Sequence, residues 1–220
     1  MKLRSTTLVA VAAIAMVALV AVACGDDDSG TDDEQTATPA PTATPGSENR
    51  CVDGAGDVAC DLAAELGDAA AGQDIAPFLA LVDAGKPHDV TCTGEPGAPW
   101  SFTKVCEGAA PGERRSGFPL AMHGSEGTYL TADELKTLMA DELARGLTIA
   151  STGCAVDGCG GFIVAFRAPE QPLAFYVAFE QAEDGVYALT GAGRSGDNAQ
   201  DILEGGRTFT VAGEAVFQPW

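Results

Sequence analysis

The sequence predicts an α+β domain, with N-terminal helices and one central helix packed on an antiparallel sheet of about four to six strands and stapled by disulfides. Three observations lead to it. Apolar residues recur at helical spacing before Gly146 and at a two-residue period after it. Thr131-Ala132-Asp133-Glu134 reads as a capping box in mid-chain. Six of the seven cysteines fall between Cys51 and Cys159, an even set within the periodic region.

The elements follow in order. Residues 57–72 carry Val58, Leu62, Leu66 and Ala70 at helical spacing, although Gly67 lowers the helix propensity. Gly72-Gln73-Asp74 breaks the chain, and Asp74 can cap a second helix. In that helix Ile75, Phe78, Leu79 and Val82 share a face, Pro77 sits in the first turn and Gly85 is the stop. Residues 88–93 and 102–106 read as short strands around a Gly/Pro-rich loop, and 115–122 as a further strand.

The capping box at Thr131 then opens the central helix. Leu135, Leu138, Met139 and Leu143 lie on its apolar face, Asp141 and Arg145 are spaced to pair, and Gly146 ends it. Strands are expected at 147–154, 161–167, 173–180, 186–190 and 208–217. Phe162, Val164 and Phe166 alternate with other residues, as do Phe175, Val177 and Phe179. Glu183-Asp184-Gly185 is a tight turn, and connections this short imply antiparallel pairing. Residues 197–204 suit a short helix before the last strand.

The front of the chain reads as an address. Lys2 and Arg4 precede an unbroken apolar run from Leu8 to Ala23, and Ala21-Val22-Ala23 meets Cys24. That order is a secretory signal, and it resembles a bacterial lipoprotein signal, although Ala21 stands where such signals more often carry Leu. The resemblance implies that residues 1–23 are removed and that Cys24 is lipidated as the first mature residue, anchoring the rest to a bacterial membrane in the cell envelope. An uncleaved membrane anchor and a plain secretory signal are the alternatives, and all three place residues 25–220 outside the cytoplasm. Residues 24–50 then form a tether, acidic from Asp26 to Glu34 and rich in Thr, Ala and Pro from Thr36 to Ser47, too poor in apolar residues to pack. Residues 51–220 form one domain.

Charge excludes one partner class. With Lys+Arg at 12 and Asp+Glu at 32, the chain carries −20, and loss of Lys2 and Arg4 takes it to −22. Nucleic acid needs a basic footprint, so it is not a partner. A hydrophobic content of 46% is enough for a packed core.

With Cys24 set aside, Cys51, Cys60, Cys92, Cys106, Cys154 and Cys159 read as a disulfide framework of an exported domain. Many pairings are open to six cysteines, and the spacing favours the local set 51–60, 92–106 and 154–159. Cys154-Ala155-Val156-Asp157-Gly158-Cys159 looks like a hairpin tip with a crosslink at its base. A zinc site would want paired C-x-x-C or Cys/His spacing, which is missing.

Helix, helix, short strands, helix and meander is an order that resembles the nuclear transport factor two-like fold, the cone shared with ketosteroid isomerases. Ala71-Gly72-Gln73-Asp74 followed by residues 75–82 is similar to the helix, Gly-Asp break and helix that open such proteins. The likeness covers residues 58–217 and implies a small-molecule cavity between helices and a curved sheet. No catalytic residue of that family can be placed here. The Cys92–Cys106 loop also looks like extracytoplasmic lipoproteins of no assigned activity.

Several patterns touch chemistry without completing it. Ser101-Phe102-Thr103-Lys104 spells the S-x-x-K of β-lactamases, but that chemistry needs Ser at a helix start and Lys one turn later, and the surroundings read as strand. Gly191-Ala192-Gly193-Arg194-Ser195-Gly196 spells G-x-G-x-x-G without the βαβ unit a dinucleotide needs, so a loop is the expectation. His88 and His123 are the two histidines, and His123-Gly124-Ser125-Glu126-Gly127 reads as a turn rather than a triad. Asp53 and Asp57, like Asp197, Asn198 and Asp201, offer oxygen ligands without calcium-loop spacing. Trp100 could contact a partner or sugar, and Trp220 could simply pack.

No catalytic set, cofactor motif or metal site is therefore expected. The reading is a lipid-anchored extracytoplasmic domain that binds a ligand or partner without catalysis, its membrane contact made through Cys24 and its protein or small-molecule partner unidentified. The alternatives are a cone-fold enzyme, isomerase- or hydrolase-like, with a pocket carboxylate, and a structural or calcium-binding envelope protein.

Overall fold

In the computed structural model, residues 51–93, 104–121, 128–169 and 173–220 are described. The signal, Cys24, the tether, Trp100, Ser101 and the His123 loop lie outside them. Chain contacts set Thr44–Trp220 apart as one unit.

Helix α1 spans Asp57–Gly72 and α2 spans Ala76–Asp83. The expected face of α1 is turned by one position. Ala59, Ala63, Leu66, Ala69 and Ala70 are buried, Val58 is 55% exposed, and Leu62 is half-buried. Small residues let α1 lie close on the sheet, and Gly67 shows how close, since a Cβ there would stand 3.0 Å from Ile149 Cγ2. Asp74 accepts a hydrogen bond from the Ala76 amide at 3.0 Å, just ahead of α2, whose Phe78 and Val82 are buried. Helix α3, Ala132–Leu143, has the full capping box: Thr131 Oγ1 accepts from the Glu134 amide, and Glu134 accepts from the Thr131 amide at 2.9 Å. The expected pairing of Asp141 with Arg145 is replaced by Glu142, whose carboxylate lies 3.6 Å from Arg145. Helix α4 is short, Ala199–Glu204.

The strands are β1 His88–Thr91, β2 Arg114–Ala121, β3 Thr128–Leu130, β4 Thr148–Ala155, β5 Gly158–Arg167, β6 Ala174–Gln181, β7 Tyr187–Ser195, β8 Gly206–Thr210 and β9 Gly213–Pro219. They form one curled sheet in the order β1-β2-β7-β6-β5-β4-β9-β8, with β3 also paired to β2. This corrects the expected fold class. The sheet has nine strands rather than four to six, it dominates the domain, and it is not wholly antiparallel because β2 and β7 run parallel. Four local differences from the expected elements accompany it. Residues 208–217 are not one strand, because Thr210 pairs with Gly213 and folds the segment into a hairpin. Residues 191–195 are not loop but continue β7. Strand β3 has only three residues. Lys104–Cys106 is a 3-10 turn instead of a strand, bringing Cys106 back to Cys92 at a Cα distance of 5.5 Å.

The central strands are buried on both faces. Phe162, Val164, Phe166, Phe175, Val177 and Phe179 pack with α1, α2 and α3 in one cluster. The alternate residues Ile163, Ala165, Ala174, Tyr176 and Ala178 pack with Ile202 and Leu203 of α4 and with Phe217 of β9 in a second. One-sided alternation would leave the second face wet; here α4 and the last hairpin cover part of it.

Candidate functional site

The site is an open groove on that second face, beyond the edge of the cover. It has a volume of about 550 Å³, within the range of small-molecule pockets. The turn joining β8 and β9 supplies Val211 and Ala212, β1 and β2 supply His88 and Pro119, and the β4–β5 hairpin supplies Asp157 and the bare backbone of Gly158, Gly160 and Gly161. Glu180, Gln181 and Thr190 complete the polar lining.

Local chemistry sets the turn in place over the sheet. The Val211 amide donates to Tyr176 Oη at 3.1 Å. The Ala212 amide donates to Thr210 Oγ1, whose hydroxyl donates to the Gly213 carbonyl. Gly213 sits at φ 95°, a left-handed conformation that suits glycine. Behind the turn, Asn198 donates to Thr208 Oγ1 at 2.6 Å and to the Phe209 carbonyl at 3.1 Å, and Ser195 donates to Asn198 Oδ1. Burial pushes the Tyr176 phenol up to about 12, against the opposing effect of the Val211 amide.

The polar groups of the groove are mostly engaged with the protein. Glu180 pairs with Lys86 at 2.8 Å, Thr190 Oγ1 donates to the Ala178 carbonyl at 3.2 Å, and Gln181 donates to the Gly185 carbonyl at 3.2 Å. The His88 ring lies 6.5 Å from that of Tyr129. A hydroxyl given to a backbone carbonyl is not activated by an imidazole, so this lining can hold a polar ligand by hydrogen bonds but presents no nucleophile with its base. Among the described residues no three His, Cys, Asp or Glu side chains gather as a metal site.

Three disulfides are present: Cys51–Cys60, Cys92–Cys106 and Cys154–Cys159. The last closes the hairpin that borders the groove. Tyr187 supports it from beneath, its hydroxyl donating to the Cys159 carbonyl at 2.8 Å, and burial pushes that phenol up as well. Two groups come together that sequence reasoning missed. Glu142, 2% exposed, is the one buried carboxylate among the described residues, and it is ion-paired to Arg194 of β7. Both are charged residues in amphipathic segments, and their pairing across 52 positions leaves no short-range signal.

The other expected candidates separate. Lys104 of the S-x-x-K pattern is exposed and stands 3.7 Å from Glu134. The G-x-G-x-x-G segment is largely strand, because Gly191 and Gly193 admit Pro119 and the Tyr176 ring where side chains would stand. Asp53 and Asp57 flank the start of α1, while Asn198 is spent holding β8. Trp220 is half-buried against the helix-side cluster, its amide donating to the Ala150 carbonyl at 2.9 Å. Among the described residues no helix is long and apolar enough to cross a membrane. No family model, curated protein or solved structure matches this chain.

Proposed function

We propose that the chain is a lipid-anchored extracytoplasmic domain that binds a small polar ligand, without catalysis, in the groove beneath the β8–β9 turn. One observation carries the reading: a groove of about 550 Å³ that joins carboxylates, imidazole and amide to exposed glycine backbone, with its hydroxyl and one carboxylate already held in place. Preformed polar geometry of this kind orients a ligand. The envelope location rests on the Lys2-to-Cys24 signal, and three disulfides suit an oxidising exterior.

A cone-fold enzyme has less support. Its cavity would lie between helices and sheet, where Phe78, Phe118, Phe162, Phe166 and Phe179 pack together. Its buried carboxylate would be Glu142, which is neutralised by Arg194.

The test is thermal-shift screening of the protein against sugars, amino acids and small amines, repeated on Glu180→Gln and Thr190→Val. A ligand that stabilises the native chain, and does so less in both variants, supports the reading. Stabilisation unchanged by both variants, or none across the panel, removes it.

A further inference from the structure

We infer that a second groove, on the other side of the β4–β5 hairpin, is a rigid docking site for an extended cationic peptide segment carrying apolar side chains. The groove has a volume of about 500 Å³ and is lined by Val52, Val156, Val216, Pro219 and the Cys154–Cys159 bridge, with Asp53 at its rim. It shares Ala155 and Gly158 of the hairpin with the ligand groove but opens on the other side of it, and the inference does not depend on that reading.

Three observations carry it. The first is exposed apolar surface gathered at one corner. Val156 is 45% exposed, Val216 42% and Phe209 73%. Phe209 pairs with Glu214 and so lies diagonal to Val216 on one face of the β8–β9 hairpin. Apolar side chains exposed beside a groove suit contact with the apolar side chains of a partner.

The second is that both walls are locked. Cys51–Cys60 holds one wall, whose Val52 amide donates to Thr152 Oγ1 at 2.8 Å and whose Asp53 amide donates to Gln218 Oε1 at 3.0 Å. Cys154–Cys159 holds the other, and Cys159 Sγ lies 3.9 Å from the Asp53 carbonyl oxygen, so the two staples meet at the groove. A preformed surface loses little entropy when it is occupied.

The third is charge. Asp53 lines the groove, Asp157 follows Val156 at the tip of the hairpin, and Glu214, opposite Phe209, pairs with Arg207 at 2.5 Å; the lining itself holds an acid and no base. The chain as a whole carries −20, which makes a second copy a poor occupant and a cation a good one. Strand addition to β8 is hindered, because Asn198 already holds the Phe209 carbonyl. Docking therefore proceeds by side chains in the groove.

The test is titration calorimetry of the disulfide-intact protein with a short peptide alternating lysine and leucine, and with its glutamate–leucine counterpart. Expected is binding of the lysine peptide alone, weakened about fivefold by Val216→Ser and by Val156→Ser, a size typical of one exposed apolar contact. Binding weakens further in about 1 M salt, where the Debye length is about 3 Å. Glu180→Gln, in the other groove, leaves it unchanged. No binding of the lysine peptide, equal binding of both peptides, or insensitivity to both valine variants overturns the inference. So does a Glu180→Gln effect as large as theirs, or a dimer that disappears in Val216→Ser.

Discussion

Tyr176 and Gly193 face each other across β6 and β7, and the phenol ring fills the space a side chain at 193 would need. A Cβ on Gly193 would fall 2.2 Å from Tyr176 Cζ. The ring cannot withdraw, because Tyr176 is 2% exposed and its oxygen anchors the Val211 amide. Gly193→Ala is therefore expected to destabilise the fold by about 3 kcal/mol through overpacking. Gly72→Ala, where a Cβ meets nothing within 4 Å at the end of α1, is expected to be neutral or stabilising by about 0.5 kcal/mol. Urea denaturation of both variants checks the contrast.

The same tyrosine sets an alkaline limit. Its pKa is pushed up to about 12 in the folded state by burial, above the ordinary value of 10.0. A raised folded pKa means that the native state holds its proton more tightly. The associated stability is complete below pH 10 and is lost as the pH climbs towards 12. The expected loss is about 2–3 kcal/mol. Tyr176→Phe forfeits about 1 kcal/mol at neutral pH, since the Val211 amide loses its acceptor, but flattens the alkaline slope. Denaturation at stepped pH, with tyrosinate absorbance followed in parallel, reads both effects.

Glu142 and Arg194 tie α3 to β7 as a partly buried pair. Arg194→Met leaves a carboxylate that is 2% exposed with only the half-exposed Arg145, 3.6 Å away, and is expected to cost about 3 kcal/mol. Glu142→Gln, which leaves a guanidinium 29% exposed to solvent, is expected to cost less. Replacing both with Met and Leu recovers most of the loss, as apolar packing often matches a buried ion pair. A double-mutant cycle in denaturant measures the coupling.

Loop length ranks the disulfides. Cys92–Cys106 closes 14 positions and Cys154–Cys159 only 5. Chain entropy then assigns about 3 kcal/mol to the first and about 2 kcal/mol to the second. Paired Cys→Ala variants, compared by thermal unfolding, are expected to follow that order.

Local signals were the readable ones. The capping box at Thr131 and the bounds of α1 follow from near-neighbour chemistry. What depended on distant partners was hidden. The strand through Gly191 and Gly193 reads as loop until Pro119 and Tyr176 are seen against it. Val58 looks like core, yet close packing of α1 on Ile149 selects Ala59 and Ala63. The parallel contact of Leu120 with Ala192 joins strands about 70 residues apart, beyond any argument from short connections. The groove was legible least of all, because His88, Asp157, Glu180 and Thr190 come from four strands or turns and share no motif.

Peptide mapping by mass spectrometry of the unreduced protein, taken from the cells that make it, tests the central claim most directly. Expected are three crosslinked pairs, Cys51 with Cys60, Cys92 with Cys106 and Cys154 with Cys159, and a chain that begins at an acylated Cys24. Free thiols at those six positions, or an intact leader with an unmodified Cys24, would contradict it.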